Sequence, residues 1–213
     1  MKDENDALVR NDTWAPVQLP PDRHPIGCKW VFRVKENLDG SINKHKAQLV
    51  AKGFHQRSSF DYNEIFSPVV KPMTTHIIIT LALTHHWPLK QLDINNAFLN
   101  GLLDEDVYLT QPPSFEDPNK TLVCKLNKAI YGLKQALRAW FDRLKSTLLQ
   151  LGFKASKSDP SLFIQSIDSM VVYILVYVDD IIVTALGDLD YFFGIEVKPQ
   201  PDGSLVLTQA KYP

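Results

Sequence analysis

Two adjacent carboxylates inside a strand-like apolar run constrain this chain most. Asp179 and Asp180 stand between Val171-Val172-Tyr173-Ile174-Leu175-Val176-Tyr177-Val178 and Ile181-Ile182-Val183. Desolvating one unpaired carboxylate is costly, and a second beside it adds like-charge repulsion. Such a pair is tolerated in a strand-rich core when a turn lifts it to the surface, or when a divalent cation holds it. The β-branched, period-2 flanks predict a hairpin with the pair at or just past its tip. A plain acidic turn fits these residues as well, because Asp favours turns. The metal reading needs a third acid and a substrate groove from elsewhere in the chain.

Bulk charge does not announce a nucleic-acid binder, since 23 Lys and Arg nearly balance 24 Asp and Glu. Local clustering has to carry any such argument. The cysteines, Cys28 and Cys124, lack metal-ligand spacing and read as small buried residues in a reducing compartment. No apolar run reaches transmembrane length, and Met1-Lys2-Asp3-Glu4-Asn5-Asp6 is too acidic for a signal peptide. The expectation is a soluble intracellular protein, not secreted and with no membrane partner.

Residues Lys2 to Arg10 read as a short polar helix, and Pro16 to Pro25, with prolines also at 20 and 21, as an extended connector. Lys29 to Lys35 alternates, Asp39-Gly40 signals a turn, and Lys46 to Lys52 reads as the return strand. This ribbon carries Lys29, Arg33, Lys35, Lys44, Lys46 and Lys52 with Trp30 and Phe32 interleaved. Basic and aromatic residues together suit phosphate contact and base stacking, although lysines also blunt an exposed edge strand. A helix is expected from Thr74 to His86 and a strand from Leu89 that ends on Asp93. Short strands follow at Val107-Tyr108-Leu109 and Val123 to Leu126. The clearest helix runs from Ala136 to Leu151, with Leu137, Trp140, Phe141, Leu144, Leu148 and Leu151 at three- and four-residue spacing and Gly152 as its stop. Strands at Leu162 to Gln165 and Met170 to Tyr177, and a last hairpin turning at Pro201-Asp202-Gly203, complete the pattern. Mixed elements without strict βαβ alternation indicate an α+β class.

Asp93 is the natural third acid, at the end of an apolar strand and followed by Asn95-Asn96-Ala97-Phe98. Beside a hairpin-borne pair it would complete a three-carboxylate cluster able to hold two Mg²⁺ ions roughly 3.5–4 Å apart. Hard oxygen ligands with open water positions suit Mg²⁺, with Mn²⁺ as an alternative.

At this point the chain resembles the reverse transcriptases of Ty1/copia-type retrotransposons. The resemblance rests on Tyr177-Val178-Asp179-Asp180 and on seven further words in order: Gly27-Cys28-Lys29-Trp30-Val31-Phe32, Leu49-Val50-Ala51-Lys52-Gly53-Phe54, Phe66-Ser67-Pro68-Val69, Gln91-Leu92-Asp93, Asn96-Ala97-Phe98-Leu99-Asn100-Gly101, Tyr131-Gly132-Leu133-Lys134-Gln135-Ala136 and Tyr191-Phe192-Phe193-Gly194-Ile195-Glu196-Val197. It runs from about Trp14 to the C-terminus.

The resemblance implies a right-hand polymerase: fingers and palm over 24–213, an antiparallel palm sheet backed by helices, no thumb, and residues 1–23 as an N-terminal helix and connector. It implies Asp93, Asp179 and Asp180 as catalytic metal ligands. Phe98 would lie under the incoming sugar, Gln135 at the nucleotide or template, and Lys46 and Lys52 at triphosphate or template. Tyr177 would touch the primer end, and Lys29 and Trp30 the primer–template. Implied partners are dNTPs, a primed RNA or DNA template, and thumb and RNase H segments of a parent polyprotein. The implied setting is cytoplasmic, within a virus-like particle, or nuclear.

Four departures from the family pattern weigh against activity of this copy. Gln48 stands where the family usually has Arg, His76 where it has a basic residue, and Leu137 where it has Pro. After Ala185 the chain passes directly to Leu186-Gly187-Asp188-Leu189, where about two dozen residues with a palm-covering helix normally intervene. The alternative to a polymerase domain is therefore a non-catalytic relic or repurposed nucleic-acid-binding module. A two-metal nuclease using the same acids lacks a supporting His or acid cluster.

Overall fold

A computed structural model describes residues 1–37, 40–94, 96–167, 170–185, 191–192, 195–199 and 205–209. Only backbone is described for Lys35, Glu36, Asp93, Ile167 and everything from 191 onward. Asp39, Leu186 to Asp190 and Pro201 to Gly203 lie outside the described residues, and with them the tips of two expected hairpins and the far side of the Ala185 junction.

In chain order the elements are α1 (Lys2–Arg10), β1 (Trp14–Gln18), β2 (Cys28–Glu36), β3 (Ile42–Ala51), α2 (Pro72–Thr84), β4 (Leu89–Asp93), β5 (Tyr108–Leu109) and β6 (Leu122–Leu126). There follow α3 (Ala136–Gln150), β7 (Lys154–Ala155), β8 (Leu162–Ile167), β9 (Met170–Tyr177), β10 (Asp180–Ala185), β11 (Tyr191–Phe192), β12 (Ile195–Pro199) and β13 (Leu205–Gln209). Helices and antiparallel sheets are mixed, as the α+β reading expects. The chain divides into two compact units, one built from 1–68 and 94–147, the other from 69–93 and 148–213.

In the first unit β2 and β3 form a two-stranded ribbon that pairs Lys29 with Val50, Trp30 with Leu49 and Arg33 with Lys46. Alternation puts Lys29, Arg33, Lys44 and Lys46 on one face and Trp30 and Phe32 on the other. The register shifts between Lys35 and Glu36, near the tip. A second sheet has the order β1-β6-β5. β1 is an edge strand, which is where a proline with no N–H to donate is tolerated. Pro16, expected in a connector, accordingly pairs with Cys124 as strand. Ile26, Leu49, Leu109 and Ile130 are fully buried in this unit. The end of α1 is closed by Thr13, whose hydroxyl donates to the Leu8 carbonyl at 2.7 Å.

The second unit is built on a five-stranded antiparallel sheet of order β4-β10-β9-β8-β7, with β11-β12-β13 as a separate meander. On one face Val70, Ile78, Leu162 and Leu175 form an apolar cluster, with Tyr173, Ile164 and Ile182 packed against it. α2 starts two residues earlier than expected because Pro72 suits a first helical turn, where its missing N–H is no loss. It is apolar nearly all round, and Met73, Ile77 and Leu83 remain exposed on its outer side.

Asp159 fastens this helix to the sheet. Its carboxylate accepts the backbone N–H of Lys71, just before α2, at 2.9 Å and that of Ser161, just before β8, at 3.0 Å. An anion here also complements the positive end of the helix dipole. Burial pushes the Asp159 carboxyl up, but the hydrogen bonds from Lys71, Thr74 and Ser161 and the Lys71 charge outweigh it and hold the group below its usual 3.8. Its stabilisation is therefore present above that value and lost as pH falls through the lower folded one. Asp159→Ala should cost about 2–4 kcal/mol near pH 7 in urea unfolding. That cost should shrink as pH falls below the carboxyl's usual 3.8 and on through its lower folded value; an equal penalty in neutral and in strongly acid buffer would contradict the assignment.

Candidate active site

Tyr177 and Asp180 face each other across β9 and β10, so Val178 and Asp179 are the two central residues of a tight hairpin. The Asp pair thus sits where the alternation of its flanks places it. Val178 has φ of 57°. Two-residue hairpins demand positive φ in their primed turns, usually met by Gly or Asn. A β-branched residue there is an outlier costing about 1–3 kcal/mol, and such strain concentrates at functional sites. Asp179 and Asp180 are half-buried, and Tyr177 is 52% exposed.

β10 lies between β9 and β4, and its register sets Asp180 directly opposite Asp93. Facing residues of an antiparallel pair have Cα atoms about 4.5–5.5 Å apart and share one face of the sheet. The Asp93 side chain lies outside the described residues, so the third acid enters through its backbone position. Among the described residues no group of three His, Cys, Asp or Glu side chains converges as a metal site.

Gln91, two residues before Asp93, shares that face and donates from Nε2 to Oδ1 of Asp180 at 3.1 Å. Sequence reasoning passed over Gln91 as a functional residue; its two-residue spacing from Asp93 on a strand was the available signal. Gln91 and Asp180 line an open cleft of about 390 Å³ with Tyr177, His76, Thr75 and Val70.

The remaining candidates lie in the first unit. Lys29 is exposed and Lys46 half-buried on the basic face of the ribbon. Lys46 is within electrostatic reach of Glu4 on α1, whose carboxyl is raised by burial and drawn back down by Lys46 and the N-terminal charge. Lys52 runs beside Gly27, where an added Cβ would come within 3.1 Å of its Cδ. Gln48 leaves its side-chain nitrogen buried without a hydrogen-bond partner among the described residues. Trp30 donates to the Pro113 carbonyl at 2.9 Å and packs edge-on to Phe115. Its ring is therefore engaged within the unit, on the opposite face from the lysines. Phe98 is buried in a short 3₁₀ turn after Asn96, with Tyr131 edge-on at 4.5 Å.

Gln135 is 2% exposed and both ends of its amide are in use. Its Oε1 accepts from Gln56 Nε2 at 2.8 Å, and its Nε2 donates to the Asp61 carbonyl at 2.8 Å. Gln56 Oε1 accepts the Lys134 N–H at 2.7 Å. Alongside, the Ala51 N–H donates to the Tyr131 carbonyl at 2.8 Å. A Cβ added to Gly53 would lie 2.0 Å from the Gly132 carbonyl oxygen, and Gly132 itself has φ of 90°. Two sequence words some eighty residues apart are thus locked backbone to backbone, with the Gln56–Gln135 pair sealing the joint. Nothing in the local pattern around Gln56 disclosed this, because the partner is remote in sequence.

Residues 11–187 match the family model described as reverse transcriptase (RNA-dependent DNA polymerase). The chain is 46% identical to the retrovirus-related Pol polyprotein from transposon RE1 of Arabidopsis thaliana, over 100% of this chain and 16% of that protein. It is 40% identical to the corresponding polyprotein from transposon TNT 1-94 of Nicotiana tabacum, over 86% of this chain and 14% of the relative. It is 30% identical to the truncated Ty1-A Gag-Pol polyprotein of Saccharomyces cerevisiae over 84% of this chain. The chain thus spans about one-sixth of the first of these relatives. The RE1 alignment runs over 235 positions against the 213 residues here, so at least 22 positions of the relative face no residue of this chain.

Gln56→Leu and Gln135→Leu should each lower stability by about 1–3 kcal/mol, since each leaves a buried partner unsatisfied. The double variant should cost less than the sum by roughly 1 kcal/mol or more. Strict additivity in urea unfolding would mean that the two amides do not depend on one another.

Proposed function

Because the chain belongs to the reverse transcriptase (RNA-dependent DNA polymerase) family, we propose that it is the nucleotidyl-transferring domain of a copia-type retrotransposon polyprotein. It would extend a primer 3′-hydroxyl with dNTPs on an RNA or DNA template. In this reading the β2–β3 ribbon belongs to the fingers and the sheet β4-β10-β9-β8-β7 is the palm. Residues 24–213 make up the fingers and palm and 1–23 precede them, while thumb and RNase H segments belong to the parent polyprotein. The observation that carries the reading is the register of Asp180 opposite Asp93, with Asp179 in the adjoining two-residue turn.

The donor set suits hard divalent cations. Asp93, Asp179 and Asp180 would hold two Mg²⁺, or Mn²⁺, through carboxylate oxygens only, leaving positions for phosphate oxygens and water. When bound, such ions lower the pKa of the attacking hydroxyl and offset charge on the departing pyrophosphate. The chain's own task is positioning. Tyr177, half-exposed beside the turn, supports the primer end. Phe98 would limit room at the sugar 2′ position, and Lys46, Lys52, Lys29 and Trp30 would contact triphosphate or primer–template. Gln135 would reach the nucleotide only once its bonds to Gln56 and Asp61 open. The 3′-oxygen attacks the α-phosphorus, forming one P–O bond as the bond to pyrophosphate breaks, and the hydroxyl proton passes to solvent.

A second reading has its own support. The 22 or more unmatched positions, the end of the family match at residue 187 and the Gln48 nitrogen, unpartnered among the described residues, favour a non-catalytic relic that retains nucleic-acid binding. The two readings part on one assay. Mg²⁺-dependent incorporation of dNTPs on a primed RNA template should fall in Asp179→Asn by more than the roughly 10–100-fold that loss of an outer-shell partner costs. Incorporation by the parent chain no higher than that of Asp179→Asn would remove the polymerase reading. Salt-dependent primer–template binding would then support the relic.

A further inference from the structure

We propose that Gln91 is a positioning residue that sets the carboxylate of Asp180 for cation binding. The inference rests on the two-metal reading above and adds to it a residue outside the acidic set. Gln91 faces Ile182 across β4 and β10, and Asp93 faces Asp180, so Gln91 is the diagonal neighbour of Asp180 on the face that carries both acids. Its Nε2–H bond to Oδ1 crosses that diagonal at 3.1 Å.

The residue type matters. A carboxylate has about four lone-pair sites, and this bond takes one of them, which leaves the rest for a cation. An amide donor holds the carboxylate of Asp180 in place without adding charge beside it. Glu at 91 would turn the donor into a like charge next to Asp180, and Leu would remove the bond that orients the Asp180 carboxylate. Core packing does not explain Gln91, since it is exposed and lines the open cleft beside Asp180 and Tyr177. Partners that orient a metal-binding carboxylate typically matter 10–100-fold, roughly, in affinity or turnover.

The test uses the full chain with Mn²⁺ as probe, and follows bound Mn²⁺ by electron paramagnetic resonance without nucleic acid. Primer extension and thermal unfolding run in parallel. Gln91→Leu should weaken Mn²⁺ binding by about tenfold and lower kcat comparably, with KM for dNTP unchanged and Tm within about 2 °C of the parent. Gln91→Glu should keep the fold and lower kcat while binding Mn²⁺ at least as tightly as the parent, because it adds charge and removes the orienting donor. Parent-like Mn²⁺ affinity in Gln91→Leu, while Asp179→Asn loses binding, would overturn the role of Gln91 alone. Mn²⁺ binding indifferent to Asp179→Asn would overturn the metal reading, and the role of Gln91 with it. A Gln91→Leu protein that binds Mn²⁺ weakly only because its Tm has collapsed would also overturn it, by showing that the residue supports the sheet.

Discussion

The antiparallel pairing of β10 between β4 and β9 is the constraint on which the second unit depends. One strand supplies the register for both neighbours, so Asp180 is fixed against Asp93 on one side and Tyr177 on the other. A side-chain period of two makes this alignment all-or-none. Displacing β10 by one residue would turn Asp180 to the opposite face and carry Ile182 out of the apolar cluster under α2. The packing that stabilises the sheet and the register that sets Asp180 opposite Asp93 are therefore one condition.

The hairpin turn shows the opposite balance. Val178 occupies a backbone region that glycine or asparagine would fill with less strain, and the strain is borne by the ladder on either side. In the first unit, close backbone approach takes over the role that side-chain packing has elsewhere. Gly53 and Gly132 meet without room for a Cβ, and a buried amide pair beside them satisfies its own polar atoms.

Local pattern was sufficient wherever a single period governs a segment. The apolar spacing from Leu137 to Leu148 predicts α3 nearly to its end, and alternation in 171–183 predicts β9, β10 and the turn between them. Prediction fell short where a distant neighbour decides the outcome. Pro16 reads as a connector until an adjacent strand makes it an edge residue. Trp30 reads as a residue open to base stacking until its bond to the remote Pro113 carbonyl shows the ring already engaged. Gln135 stands in a motif word as a polar residue at the head of the long helix, and only its meeting with Gln56 and Asp61 accounts for its burial. The acids at 179 and 180 could be found from their unfavourable setting alone, whereas the bond from Gln91 requires the cross-strand diagonal.

The irregularity between Lys35 and Glu36 has a consequence for how the ribbon tolerates change. A bulge decouples the tip from the shaft, so residues gained or lost beyond it alter reach and leave the alternation below untouched. A single-residue deletion lower down, between Cys28 and Arg33, has no such buffer. It would turn the β2 residues on one side of the gap to the opposite face while Lys44 and Lys46 on β3 keep theirs, breaking up the cationic side with composition and length almost unchanged.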